Sequence, residues 1–253
     1  MRRDEDLEFL QYCSNKDLDT LVHLLIYDKD NKERISAQLN YCDKYKKHFP
    51  NHSYYWKEIC HEFQCYGGNT FSNLIRGQGV KYREILEDVC DLLKVKYNST
   101  QSTEKIEELL LLSIFEESLD KMSDDERKEL LKNFNQKTSD ISKPAIMAIV
   151  QAAIKSSGFT SYKLSAIIAN AVVKALTGRG LTLVGNQTLM KTLSIMSGPI
   201  GWAITGGLTA IQLAGPAYRV TIPATMEIIY LRRKCNQPLY KIKRIFSFLI
   251  FWR

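Results

Sequence analysis

The chain has 253 residues, 45% of them hydrophobic, enough for one large domain or two small ones with a buried core. Its net charge of +7 conceals a division: residues 1–140 carry 27 acidic and 21 basic side chains, whereas residues 141–253 carry fourteen basic and one acidic. The six cysteines and an acidic start, "MRRDEDLEF", where an apolar leader would stand, argue against a secreted disulfide framework and predict reduced thiols in the cytoplasm.

The first part reads as successive short helices. In "SNKDLDTLVHLLIYD", Ser14 is placed to cap, and Leu18, Leu21, Val22 and Leu25 form one helical stripe. A charged helix is predicted through "KERISAQLNYCDKYKKHF", ending near Pro50. Ser53 opens "YYWKEICHEFQCYGG", with Gly67 as its stop. Then come "NTFSNLIRG", "VKYREILEDVCDLLKVK", a polar linker, "EKIEELLLLSIFEESLDKM" and "DDERKELLKNF", the last opened by Ser123 and Glu126 at capping-box spacing. Period-2 alternation is hard to find, so the fold class expected is all-α, a multi-helix bundle.

From about residue 141 the composition changes. Pro144 suits the first turn of a helix, and "AIMAIVQAAIKSS", "SYKLSAIIANAVVKALTG" and "LTLVGNQTLMKTLSIMS" are rich in alanine and other apolar residues. Between Asp140 and Glu227 lie 86 residues without a carboxylate, a bias that points to an anionic or apolar partner. Four segments result: 1–50, N-terminal helical; 51–140, acidic helical; 141–236, an Ala/Gly-rich apolar and basic region; and 237–253, a basic amphipathic tail. The tail fits an anionic membrane surface, at about 1 kcal/mol per cation, a terminal helix docked on the body, or a disordered end with no role.

Within the third segment, "SGPIGWAITGGLTAIQLAGPAYRVTIPA" holds five glycines, three prolines and one charge, Arg219. Pro199 and Pro216 enclose sixteen residues, which as a helix rise roughly 24 Å, short of the roughly 30 Å of a bilayer core. Glycines inside a helix cost roughly 1 kcal/mol each against alanine, so a lone span gains little. Ser197, Gly201 and Thr205 recur four apart, as do Gly206, Ala210 and Ala214, and such small-residue faces let helix backbones approach closely. Two readings stand: a buried core hairpin, or a segment held inside that inserts into or lies against a bilayer.

Candidate chemistry is sparse. His48, His52, Cys60, His61 and Cys65 fall within eighteen residues, but their spacing is no familiar zinc signature, and no metal is expected. "GGNTFSNLIRGQG" lacks the lysine of a phosphate loop and a strand to feed it. Asn73, Arg76 and Tyr82 are the candidates for a polar pocket. No G-x-S-x-G elbow appears, and no cofactor is expected. Basic residues from 143 to 219 are dispersed, and Arg232, Arg233 and Lys234 follow an apolar helix, which suits a membrane-facing flank at least as well as nucleic acid.

Three stretches, "DLEFLQYCSNKDLDTLVHLL", "FQCYGGNTFSNLIRGQGVKYREILEDV" and "GPAYRVTIPATMEIIYLRR", resemble an uncharacterised bacterial family, the YaaW-like proteins. Part of that family is remotely grouped with ubiquinol–cytochrome c chaperones, assembly factors for a membrane complex. The resemblance covers about residues 5 to 234 and transfers no catalytic or binding residue. The function expected is therefore non-enzymatic: engagement of a membrane or of an apolar membrane-protein segment, in a chaperone- or assembly-like role. The alternatives are a masked pore-forming effector and a soluble small-molecule enzyme. The residues expected at the contact are Pro199, Gly201, Trp202, Gly206, Gly207, Pro216, Tyr218, Arg219 and Pro223. Expected partners are an anionic membrane surface or a membrane-protein client, with no nucleic acid and homo-oligomerisation left open. The expected location is cytoplasmic, peripheral at the inner membrane where it engages lipid.

Overall fold

Caps and turns punctuate this chain where side chains satisfy free backbone groups. The computed structural model describes residues 2–67, 79–134, 136, 138–155, 159–181, 187–207 and 217–237. A 3-10 helix, Glu5–Tyr12, leads into α1, Asn15–Ile26, whose first turn is closed by a reciprocal Ser14–Asp17 capping box. The continuous charged helix predicted next does not form. Asp28 Oδ1 accepts from the amides of Asp30 and Lys32, Asn31 takes a left-handed φ of 61°, and Arg34 N donates to Ile26 O at 2.8 Å. This side-chain-driven turn competes successfully with the helix. Only Leu39–Tyr41, as 3-10, and α2, Asp43–His48, are helical there.

A 3-10 turn, His52–Tyr55, enters α3, Trp56–Tyr66, which ends at Gly67. A Cβ at Gly67 would sit 2.3 Å from Ile85 Cγ1, so close approach of α4, Tyr82–Leu92, requires glycine there. Ser102 caps α5, Thr103–Leu119, and a Ser123–Glu126 capping box opens α6, Asp124–Asn133. The apolar part forms α7, Lys143–Lys155; α8, Phe159–Thr177; α9, Gln187–Gly207; and α10, Tyr218–Cys235. Among the described residues every regular element is helical, with one isolated bridge between Tyr27 and Glu33. The fold is all-α.

Helix α8 lies between α9 and α10 and, among the described residues, makes the most extensive helix–helix packing. On its other sides α9 rests on α5 and α6, while α10 meets α1, α3, α4 and the first 3-10 helix. Every residue of α10 from Val220 to Arg232 is buried, the pattern of a helix enclosed on all sides. Buried apolar residues from Leu7 to Cys235 form one continuous core. Leu7, Leu10, Leu18, Leu21 and Leu25 are fully enclosed in it. At about 2 kcal/mol per buried leucine, that face contributes on the order of 10 kcal/mol, comparable to a whole domain's net stability.

The cations closing α10 turn inward. Arg232 Nε donates to Glu107 Oε1 at 3.0 Å and its Nη2 to the Asp6 carbonyl at 2.6 Å, while its guanidinium lies 4.7 Å from the Phe9 ring centre. Arg233 Nη1 donates to Ser161 Oγ at 2.7 Å, and Lys234 pairs with Asp17. The membrane-flank reading of this run is thus corrected: its partners come from the acidic half and from α8. Among the described residues, no helix is long and apolar enough to cross a membrane.

Candidate partner-binding face

Met190, Ser194, Gly198, Trp202 and Gly206 recur four apart on α9, and all five are exposed. Trp202 is 69% accessible and Met190 54%. Beside this stripe, Ala171, Lys174 and Ala175 of α8 join Ser197, Gly198, Gly201, Trp202 and Thr205 in lining a groove of about 470 Å³. It lies over the packed α8–α9 helix pair.

The groove is open because of its glycines. A Cβ built at Gly201 would meet only Ala175 Cβ, at 3.7 Å, an ordinary contact, and one at Gly198 or Gly206 would meet nothing within 4 Å. Packing among the described residues therefore does not require glycine at these positions, although each weakens α9 by roughly 1 kcal/mol relative to alanine. The lining hydroxyls are satisfied locally: Thr205 Oγ1 donates to the Gly201 carbonyl at 2.8 Å, and Ser197 Oγ to that of Leu193. What the groove offers a partner is a low apolar surface with an indole at one side and the Lys174 ammonium at the rim. Among the described residues its lining includes no carboxylate, imidazole or thiol. Shallow relief of this kind suits the close approach of another helix backbone.

Comparison with known sequences fits this architecture to a family. Residues 51–226 match the model described as Ubiquinol-cytochrome C chaperone, and residues 1–35 match one described as Domain of unknown function (DUF3944). A UPF0174 protein of Helicobacter pylori J99 is 46% identical over 235 residues, spanning 92% of this chain and 93% of that relative. The chain belongs to the UPF0174 family. A second Helicobacter pylori UPF0174 protein is 41% identical over 79% of this chain and 98% of its own length. The UPF0174 protein YaaW of Escherichia coli K12 is 32% identical over 91% of this chain and 94% of its own. No solved structure matches the chain.

This UPF0174 chain gathers only part of the predicted contact set at the groove. Gly201 and Trp202 line it, and Gly206 is on the same exposed stripe. Pro199 is buried within α9, and Gly207 is the last residue of that helix. Tyr218 and Arg219 begin α10, Pro223 is buried inside it, and Pro216 lies outside the described residues. Lys174, Ala171 and Ala175 belong to the groove although sequence reasoning did not select them. Their signal was the small-residue content of α8, read only as packing material.

The proposed polar pocket takes a different form at the one residue described. Tyr82 is fully buried, and its hydroxyl donates to Glu107 Oε1 at 2.7 Å, beside Arg232; Asn73 and Arg76 lie outside the described residues. Asp4 Oδ2 accepts from Tyr82 N at 2.6 Å and from Gln64 Nε2 at 3.3 Å, and Thr103 Oγ1 donates to Asp6 at 2.8 Å. Burial raises Tyr82 and Glu107 above their usual ranges, while Arg232 opposes both shifts. The cluster is a clamp between α10, α4, α5 and the N-terminal 3-10 helix.

The histidines and cysteines considered as metal ligands are dispersed over different contacts. His48 stacks on Tyr54, His52 meets Tyr55 and Asp19, Cys60 is in the core, and His61 lies beside Cys65 on α3. Burial lowers the pKa of His52 and His61. Among the described residues, no group of three such side chains is arranged to hold a metal ion.

Proposed function

We propose that this protein is a non-enzymatic chaperone or assembly protein that holds an apolar helix of a membrane-protein client against the α8–α9 face. The observation that carries this reading is the exposed stripe of α9 that includes Trp202, opened by glycines and left uncovered among the described residues. Its chemistry favours a helix with small residues spaced four apart, because such a helix seats its backbone against Gly198 and Gly201 without displacing α9. The match of residues 51–226 to the Ubiquinol-cytochrome C chaperone model supports an assembly role over a catalytic one. Because no carboxylate lies between residues 141 and 226, an anionic group on a guest meets no like-charge repulsion from the side chains of that part of the chain.

An immobilised 20-residue apolar helix with alanine or glycine at every fourth position, held in detergent micelles, tests the reading. The account expects retention of the full chain by this helix, and weak retention by an all-leucine helix of equal length. Trp202→Ala should weaken binding about tenfold. Equal retention by both helices, or none by either, overturns it. Flotation with phosphatidylglycerol vesicles identifies a lipid surface as the partner instead, if the protein floats with vesicles and ignores both helices.

A further inference from the structure

Sequence reading treats the six cysteines as unpaired thiols, and two of them meet. Cys13 closes the N-terminal 3-10 helix and Cys235 is the last residue of α10, yet their sulfurs lie 3.1 Å apart. Both are buried, 3% and 8% accessible. The remaining four face other groups: Cys42 accepts from the Tyr45 amide, Cys60 Sγ points to the Leu7 carbonyl, Cys65 lies beside His61, and Cys90 is buried in the apolar core.

We propose that Cys13 and Cys235 are a thiol pair that closes to an intramolecular disulfide, locking the N-terminal segment onto the end of α10. Closure needs an approach of only about 1 Å to reach the S–S bond length of about 2.05 Å. The two elements are already held together by Lys234 with Asp17 and by Arg232 with the Asp6 carbonyl, so the backbone need not be brought from a distance. The oxidant is a small-molecule disulfide of the glutathione class. The thiolate of Cys235, the less buried of the two, attacks that disulfide, giving a mixed disulfide and releasing one small thiol. The thiolate of Cys13 then attacks the sulfur of Cys235, forming the protein disulfide and releasing the second small thiol. Two protein thiols are oxidised, one external disulfide is reduced, and the two protons lost from the protein end on the released thiols. The contact with Cys235 and burial keep the Cys13 thiol protonated, which makes the reaction slow rather than blocking it.

Treating the native full chain with oxidised glutathione, alkylating the remaining thiols and mapping peptides tests the pairing. The expected product is lighter by two hydrogens, retains four alkylatable cysteines and contains a Cys13–Cys235 cross-linked peptide. Its Tm should be higher by about 5–10 °C than that of the reduced protein, because the bond closes nearly the whole chain. Cys13→Ser and Cys235→Ser should each abolish the cross-link, with Cys90→Ser as the control that keeps it. Six alkylatable thiols after treatment, or a cross-link joining any other pair, overturns the proposal. The wild-type map decides this even if a serine variant fails to fold.

Discussion

At the scale of single residues, buried polar groups set the strongest constraints. Glu107 and Arg232 are almost completely enclosed, and each is the other's charge partner. Burial acts against the Arg232 charge, but Glu107 prevails and holds the guanidinium above its ordinary pKa. Glu107→Leu should therefore cost roughly 3–5 kcal/mol, since it strands a buried cation, whereas Glu107→Leu with Arg232→Met should recover part of that loss. Denaturant midpoints of the two variants check this, and equal destabilisation by both would count against the clamp. Glu227 makes a pH-dependent contribution. Burial pushes its carboxyl up to about 8, with Lys234 opposing the shift and Asp17 adding to it, and Oε2 has no hydrogen-bond partner. Unfolding returns it to about 4.3, so the folded state binds the extra proton between those values. Stability is therefore full below about pH 4.3 and is lost as pH rises towards 8, by a few kcal/mol at most. Glu62, pushed up to about 7 by burial, acts in the same direction. Glu227→Gln should lower Tm less than wild type does between pH 5 and pH 8, and parallel pH profiles would contradict this. Little of this was legible in sequence. Tyr82 reads as a pocket residue and Arg232 as a membrane flank because their partner Glu107 is distant in the chain.

At the scale of elements, local chemistry predicted much and tertiary packing settled the rest. Ser14, Ser123 and Gly67 start or stop helices as their types and spacing indicate, because caps are local interactions. Proline was the misleading signal. Pro199 reads as a boundary, yet α9 runs through it from Gln187 to Gly207, flanked by packing on α8 and α5 that sustains the helix. The glycines of α9 have a testable asymmetry. Gly198→Ala and Gly201→Ala should each stabilise the fold by about 1 kcal/mol, since their new methyl groups meet open space or an ordinary contact. The same changes narrow the groove and should weaken binding of a small-residue helix several-fold. A rise in Tm together with that loss separates a binding role from a structural one; a fall in Tm would show that the backbone needs glycine there.

For the whole molecule, the charge division that points to an anionic or apolar partner is partly balanced by ion pairs inside the fold. Arg232, Lys234 and Lys143 meet Glu107, Asp17 and Asp120 from the acidic half. Residues 1–35, which match a family model of their own, bring Asp6 and Asp17 to α10 and five enclosed leucines to the common core. A chain lacking them should lose cooperative unfolding and expose apolar surface to a hydrophobic dye; a sharp melt near the wild-type Tm would contradict the single core. Sequence composition located the charge division but not its internal pairing, because pairing across 125 residues, as between Glu107 and Arg232, leaves no periodic trace. Among the described residues, the face around Trp202 is left uncovered. A variant with Trp56→Phe and Trp252→Phe keeps Trp202 as the sole indole, whose emission reports directly on that face. On titration with the apolar small-residue helix, the account predicts a saturable blue shift that Gly201→Leu abolishes. An emission maximum unchanged through saturating helix would contradict it.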